Sequence, residues 1–324
     1  MSMDVIAFGE TMLRLTPPGF ERFSQATNFE IHIGGSESNT AVGLSRLGLR
    51  VAWLSRLTDN PLGRKIAEGL AAHGVDTRRI IWTSADRVGT YYLERGTRPR
   101  GSQVFYDRAG SAMSRIEPRD FPTSVWLEER PRVFHTTGIT LGISPSAAAT
   151  AEAAARQAKE AGVLISFDVN YRSKLWSPEA AQRGCETLLG IADIVFIPER
   201  DLATVYGCPT NDVSAAIDSF ARRCPQATVV VTRGGQGAAA KTASGAVHLQ
   251  PALMAEEVER LGGGDAFSAG YLYGLLTSAD VAQALRWGVA VAALKYTIPS
   301  DLPLIDHREV RALVEGESRA GVNR

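Results

Sequence analysis

Gly262-Gly263-Gly264-Asp265-Ala266-Phe267 is a glycine run that ends in an aspartate and opens a helical pattern. Three glycines leave backbone N–H groups free to approach an anion, and a helix N-terminus adds favourable partial charge. An aspartate directly after them stands where a general base for an attacking hydroxyl would sit. The same residues also fit a glycine turn with Asp265 as an ordinary cap, and on these residues alone both readings stay open.

Three other segments carry chemistry-bearing side chains. Gly34-Gly35-Ser36-Glu37-Ser38-Asn39 precedes a helix; the paired glycines allow close backbone approach, and Asn39 could point at a polyol. A loop-to-helix cap is the plainer reading of that segment. Phe167-Asp168-Val169-Asn170-Tyr171-Arg172 sets polar side chains and a tyrosine at the end of a strand pattern. That makes a natural site edge, or a loop whose Asp and Asn only satisfy backbone groups. Thr232-Arg233-Gly234-Gly235-Gln236-Gly237 follows another strand and runs on to Lys241-Thr242. Gly235–Thr242 narrowly misses a phosphate-wrapping P-loop, because Ala240 stands where the glycine before the lysine is required. A glycine loop under a nucleotide, followed by a hairpin, is the expectation instead. Tyr91, Tyr106 and Arg108 lie in a further segment with a basic tip of Arg95, Arg98 and Arg100, which reads as solvated charge. Tyr106 and Arg108 alternate onto one strand face and could enter one cleft. The five histidines are scattered without ligand spacing, so no metal-histidine site is expected.

These residues need a frame to bring them together. Strand patterns occupy 4–9, 50–57, 133–137, 163–168, 191–197 and 227–232. Helical patterns occupy 36–48, 61–73, 146–161, 178–189, 213–224 and 265–277. Such alternation predicts an α/β fold: a doubly wound, mostly parallel sheet with helices on both faces and the site at the carboxyl ends of its strands. Residues 11–33 and 88–108 break the alternation and read as strands around loops. They are expected to pair into a small β lid. The main domain is then 1–10, 34–87 and 109–315, and 316–324 is a polar tail.

Composition narrows the function classes. Lys+Arg and Asp+Glu are both 35, so the chain lacks the basic excess of a nucleic-acid coat, and no nucleic-acid partner is expected. No run approaches the roughly 18–20 apolar residues of a membrane span. Cys185, Cys208 and Cys224 show no ligand or disulfide spacing, and the N-terminus has no targeting pattern. The expectation is a cytoplasmic protein with reduced thiols.

In order along nearly the whole chain, these features resemble the ribokinase/PfkB family of carbohydrate kinases. Gly34, Gly35 and Asn39 match its GG-x-x-x-N motif. Glu259-Arg260-Leu261-Gly262-Gly263-Gly264-Asp265 aligns with its DTxGAGD signature, with Glu-Arg for Asp-Thr and Gly263 for Ala. Its NxxE motif appears as Pro198-Glu199-Arg200-Asp201, which leaves Asp201 a candidate for magnesium only through water, and assigns no direct metal ligand. An asparagine often found near the adenine aligns with Val289.

The resemblance implies transfer of the ATP γ-phosphoryl group to a primary hydroxyl, with Mg2+ and, in some members, a monovalent cation. Asp265 would be the base and the Gly262–Gly264 amides the anion hole. Asn170, Tyr171, Arg172 and Thr232 to Gly237 would contact the nucleotide. The likeness is greatest to 2-keto-3-deoxygluconate kinases, whose substrate contacts map onto Gly34, Tyr91, Tyr106, Arg108, Ile139, Arg172 and Asp301. Fructokinase-like members carry an aspartate where this chain has Arg14, and an arginine suits a sugar acid better than a neutral sugar. A fructokinase or other hexose kinase is the alternative, and a catalytically weak sugar- or nucleotide-binding regulator the alternative of another class. The exposed edge or face of the lid predicts a homo-oligomer.

Overall fold

The computed structural model describes residues 2–209 and 211–316, so the expected polar tail lies outside the described residues apart from Gly316. In chain order the strands are β1 (Val5–Phe8), β2 (Met12–Thr16), β3 (Glu30–Gly34), β4 (Val51–Leu54), β5 (Arg56–Thr58), β6 (Ile81–Thr83) and β7 (Thr90–Glu94). They continue with β8 (Gln103–Asp107), β9 (Val133–Thr137), β10 (Leu164–Asp168), β11 (Ile194–Pro198), β12 (Thr228–Thr232), β13 (Ala238–Lys241) and β14 (Val247–Gln250). The helices are α1 (Ser36–Arg46), α2 (Pro61–Ala71), α3 (Val125–Glu128), α4 (Gly138–Ile143), α5 (Pro145–Glu160) and α6 (Pro178–Ile191). After them come α7 (Glu199–Tyr206), α8 (Val213–Ala221), α9 (Gly263–Ser278), α10 (Val281–Tyr296) and α11 (His307–Val314).

One sheet has the order β14-β13-β12-β11-β10-β9-β1-β4. It is parallel from β12 to β4, and β13 and β14 add an antiparallel hairpin at one edge. Its central strands are apolar on both faces, as a doubly covered sheet requires. Ile6, Phe8, Phe134, Ile165, Phe167, Val195 and Ile197 pack in a core shared with α5, α6 and α8. The alternate residues Val5, Ala7, Val133, Ile194 and Phe196 pack on α1, α2, α9 and α10. Register puts Thr137, Asp168, Pro198 and Thr232 on one rim, at the carboxyl ends of four parallel strands. Strand order reverses between β1 and β9, and that crevice opens on the same rim.

The two interrupting segments meet in a four-stranded sheet of order β3-β2-β7-β8, with β3 running one residue past the expected boundary to Gly34. Its two faces differ in chemistry. Across the strands His32, Arg14, Tyr91 and Tyr106 stand in register, and one residue along Ile31, Leu15, Tyr92 and Phe105 form the opposite row. The first row contains the cationic groups and two phenols, and the second is apolar apart from the Tyr92 hydroxyl, the alternation of a sheet with one face turned to a cleft.

Several expected elements are altered. The strand expected over 50–57 divides at Ser55: β4 stays in the large sheet, and β5 leaves it to pair with β6. The short α4 precedes the expected helix at 146–161, α3, α7 and α11 stand where no helix was expected, and α10, which no local pattern marked, is the helix toward the C-terminus in which the family resemblance puts Val289. The hairpin expected after Gly237 forms as β13 and β14. Cys185, Cys208 and Cys224 are buried free thiols. No helix among the described residues is long and apolar enough to cross a membrane.

Candidate active site

Asp265 sits in the first turn of α9 and is buried. Both of its oxygens are held from the N-terminal turn of α1. Ser36 Oγ donates to Oδ1 at 2.6 Å, and Asn39 Nδ2 donates to Oδ2 at 2.7 Å. Asn170 Nδ2 donates to Ser36 Oγ at 2.7 Å, so the strand-end loop after β10 joins the same cluster. Burial raises the Asp265 carboxyl above its ordinary range, the bonds from Ser36 and Asn39 pull it back, and the neighbouring Arg172 charge also lowers it. A base with this environment is ionised near neutral pH less completely than an exposed aspartate, and is correspondingly more basic.

The turn before Asp265 depends on Gly262, whose φ is +78°. A β-carbon there would come within 2.0 Å of the Asp301 carbonyl oxygen, so the position excludes side chains on two counts. Gly264 faces open space. The Gly263 amide is already donated to the Arg260 carbonyl at 3.2 Å. That amide of the expected anion hole thus already has an acceptor, whereas the first-turn N–H groups of a helix have none within the helix itself.

A cavity of about 810 Å³ opens from this turn along the strand ends. Asp168, Asn170, Arg172, Thr232, Arg233, Gly234, Gly235 and Gly237 line it, as do Gly262, Gly263, Gly264 and Asp265. Thus most of the expected nucleotide residues surround one volume. Tyr171 and Gln236 do not line it. Tyr171 is a core residue whose hydroxyl donates to the Trp176 carbonyl at 3.3 Å, and Gln236 is turned outward to accept from Arg233 at 2.6 Å. Val289 does line the cavity, with Ala292, Ala293 and Tyr296 of α10 beside it as an apolar wall. Asp201 was expected to reach magnesium only through water. It is fully buried, its Oδ1 accepts from Arg200 at 2.8 Å, and it does not line the cavity; Glu199 does, paired with Arg233 at 3.1 Å.

Asp168, which the strand-end motif left without a role, has a distinctive protonation state. Burial, with the Asp265 charge second, pushes its carboxyl up to about 8. A folded-state value above the unfolded one means that the native protein binds the extra proton. The associated stability is present below the unfolded value and is lost as pH rises through about 8. Asp168→Asn removes that loss. Its melting temperature should match wild type near pH 3, exceed it increasingly as pH rises toward 8, and keep a constant lead above that. Parallel melting curves of the two proteins at every pH would show that Asp168 does not titrate this way.

Of the residues expected at the substrate, Arg172 lines the cavity and the others do not. A β-carbon on Gly34 would meet the Tyr91 hydroxyl at 2.3 Å and Asp301 Oδ2 at 2.7 Å, so these three are packed together. The Gly35 amide donates to Asn39 Oδ1 at 3.3 Å. Ile139 follows in α4, where Thr137 Oγ accepts from its amide at 3.1 Å. Tyr106 is 40% exposed and its ring lies 5.9 Å from that of Tyr91. The Arg108 guanidinium, just past the end of β8, lies 5.9 Å from the Tyr106 ring.

Two arginines are already committed. Arg14 is fully buried and donates to Asp301, with Glu259 3.6 Å away. A buried guanidinium needs a counter-charge, and Asp301 supplies it; Arg14 Nε and Nη2 are buried without a partner. Arg108 pairs with Glu10, a buried carboxylate that also accepts from Ser111 Oγ. The Arg108 Nε is buried without a partner.

Sequence reasoning missed Ser36 and Lys295. The Lys295 ammonium, buried in the last turn of α10, donates to the Glu259 carbonyl at 2.7 Å, and burial lowers it to about 8. No local pattern marks either residue, since each acts on a segment distant in sequence.

The sequence matches the pfkB family of carbohydrate kinases over residues 2–302. It is 40% identical to a 2-dehydro-3-deoxygalactonokinase of Haloferax volcanii over 324 residues, 100% of both chains. It is 28% identical to a 2-dehydro-3-deoxygluconokinase of Bacillus subtilis, over 95% of this chain and 94% of that one. The crystal structure of a 2-dehydro-3-deoxygluconokinase from Thermotoga maritima superposes with a TM-score of 0.91 at 32% identity, covering 98% of this chain and 99% of the other. With the two glycine motifs joined through Asp265, and this match over nearly its whole length, the chain belongs to the pfkB family and is a carbohydrate kinase.

Proposed function

We propose that this kinase phosphorylates the primary hydroxyl of a 2-keto-3-deoxy sugar acid, 2-keto-3-deoxygluconate or its galactonate epimer, giving the 6-phosphate. The observation that carries the reading is the placement of Asp265. Its two oxygens are fixed by Ser36 and Asn39, and it stands between the cavity and the Gly34–Tyr91–Asp301 cluster. The names of the relatives favour the sugar acid, and Arg108 gives a physical reason for it.

In this mechanism Asp265 takes the proton from the attacking hydroxyl, and the Gly264 and Asp265 amides bind the transferring group. Phosphoryl transfer asks mainly for positioning and charge neutralisation. The nucleotide lies in the cavity, its base against Val289, Ala292 and Tyr296 and its phosphates toward Arg172 and the glycine turn. Among the described residues no cluster could hold a metal ion unaided. Glu199 on the cavity wall, with Asp168 once it gives up its proton, would suit Mg2+, which takes one or two carboxylates beside phosphate and water. The ion would neutralise phosphate charge. The β2–β3–β7–β8 sheet acts as a lid that keeps water, a competing acceptor, from the site.

The test is an ATP-consumption assay with 2-keto-3-deoxygluconate, 2-keto-3-deoxygalactonate, fructose, ribose and gluconate. The expected result is a kcat/KM for one or both keto-deoxy acids at least about tenfold above fructose, a difference of about 1.4 kcal/mol. Preference for fructose would make it a hexose kinase, and a flat response to all five a regulator.

The lid also bears on assembly. Phe29, Ile31 and Phe105 are exposed on its apolar side. A second copy covering that side would bury them, and light scattering at micromolar concentration should give twice the chain mass. A monomer mass would remove this part of the proposal.

A further inference from the structure

The crevice where strand order reverses is closed by one carboxyl group. Glu37, the second residue of α1, is 0% exposed. Its Oε1 accepts from the Thr137 amide at 3.1 Å, from Thr137 Oγ at 2.8 Å and from Thr140 Oγ at 2.7 Å. Its Oε2 is buried without a partner. Gly9, directly after β1, lies against the same group; a β-carbon there would come within 2.1 Å of Glu37 Cδ. One side chain thus touches the end of β1, the end of β9 and the first turn of α4.

A role limited to filling space is poorly served by this group. An apolar side chain would close the crevice without the cost of burying a carboxyl. What the carboxyl adds is direction, because it gathers three donors from one turn onto a single oxygen. That turn carries Ile139, whose amide is bound by the same Thr137 hydroxyl at 3.1 Å. The other arm of the connection is α1 itself. Ser36 and Asn39, on the helical turn that holds Glu37, grip the two oxygens of Asp265. Wall and base are therefore tied to one rigid turn of helix.

We propose that Glu37 is a positioning residue for the acceptor sugar, registering the Thr137–Thr140 turn against Asp265 so that the sugar hydroxyl, and not water, is presented to the base. The proposal rests on the reading of Asp265 as base and Ile139 as part of the sugar site.

The experiment compares wild type with Glu37→Gln, Thr140→Val and Thr140→Ser, measuring kcat, KM for 2-keto-3-deoxygluconate and for ATP, and the ATP hydrolysed per sugar phosphorylated. Glu37→Gln keeps size and shape but cannot keep all three donors satisfied without placing an amide in the pocket of Oε2. A misplacement of about 1 Å in a reacting pair costs on the order of 100-fold in rate, so kcat/KM for the sugar should fall roughly 10- to 100-fold, with part of the loss appearing as a higher sugar KM. The ATP KM should stay within about twofold, and ATP hydrolysed per sugar phosphorylated should rise. Thr140→Val, which removes one donor, should shift the same quantities less; Thr140→Ser, which keeps it, should resemble wild type. Sugar and ATP KM values rising together, or a lower melting temperature with unchanged kinetics, would overturn the proposal and leave Glu37 a packing residue. Wild type that takes only a neutral sugar would defeat the substrate reading alone, and the KM comparison would then decide the role of Glu37 with that sugar.

Discussion

Asp265→Asn should lower kcat by roughly 10²–10⁴, the range for losing general-base catalysis, with the fold retained. The asparagine keeps the size of the side chain and can still accept from Ser36. Its amide then faces the Asn39 amide, and one hydrogen bond, worth about 1 kcal/mol, is broken. Relief from burying a charge offsets that cost, because burial disfavours the ionised aspartate. Thermal melts should therefore stay within a few degrees of wild type, since about 1 kcal/mol moves the midpoint of a large domain by only about 2–4 °C. In wild type the base must be ionised, so kcat should fall as pH drops, from a point above the ordinary carboxylate range. The mutant should lack that acid limb. A mutant with near-full kcat would reduce Asp265 to a helix cap.

Arg108→Ala should lower kcat/KM for 2-keto-3-deoxygluconate by roughly 30- to 1000-fold, because removing a charge-assisted hydrogen bond from a closed site costs about 2–4 kcal/mol. A guanidinium binds a carboxylate with parallel hydrogen bonds stronger than neutral ones. In this protein one edge of Arg108 already serves Glu10, while Nε is buried and unpartnered. Truncating the arginine would abolish its bond to the substrate and also leave the Glu10 carboxylate uncompensated near the acid end of the sugar. A double variant with Glu10→Gln separates these effects: it should restore much of the melting temperature but not the preference for the acid. Fructose turnover, where measurable, should change far less than acid turnover. Equal losses for acid and fructose would mean that Arg108 reads no carboxylate, and the substrate assignment would lose its main physical support.

The local patterns in the sequence located the glycine turn at Gly262, the helix that follows it, and the parallel strands whose ends carry Asp168 and Thr232. These are features that a few adjacent residues determine. The pairing of the two interrupting segments was legible too, because alternation survives in 30–34 and the loop holding Gly96, Pro99 and Gly101 divides 88–108 into two strand runs. Helix α10 was not. Ala284, Leu285, Gly288, Val289, Ala290, Val291, Ala292 and Ala293 are all buried, so most of its circumference is apolar and its period is blurred. The partners of charged groups were illegible for another reason. Arg14 meets Asp301 across 287 positions, and Asn39 meets Asp265 across 226. Residue type alone assigned Arg14 to a sugar acid; only the fold reveals that its counter-charge is built in. Glu37 lay in plain view inside the first glycine motif, but nothing in the sequence says that its carboxyl reaches Thr137 and Thr140.

The most direct test of the account is the 31P spectrum of the product made from ATP and 2-keto-3-deoxygluconate or its galactonate epimer, taken for wild type and for Asp265→Asn. The account predicts a phosphomonoester on the primary C6 hydroxyl, formed together with one ADP for each sugar phosphorylated, and its near absence with the mutant. Inorganic phosphate alone from wild type, or a monoester formed equally well by Asp265→Asn, would contradict it.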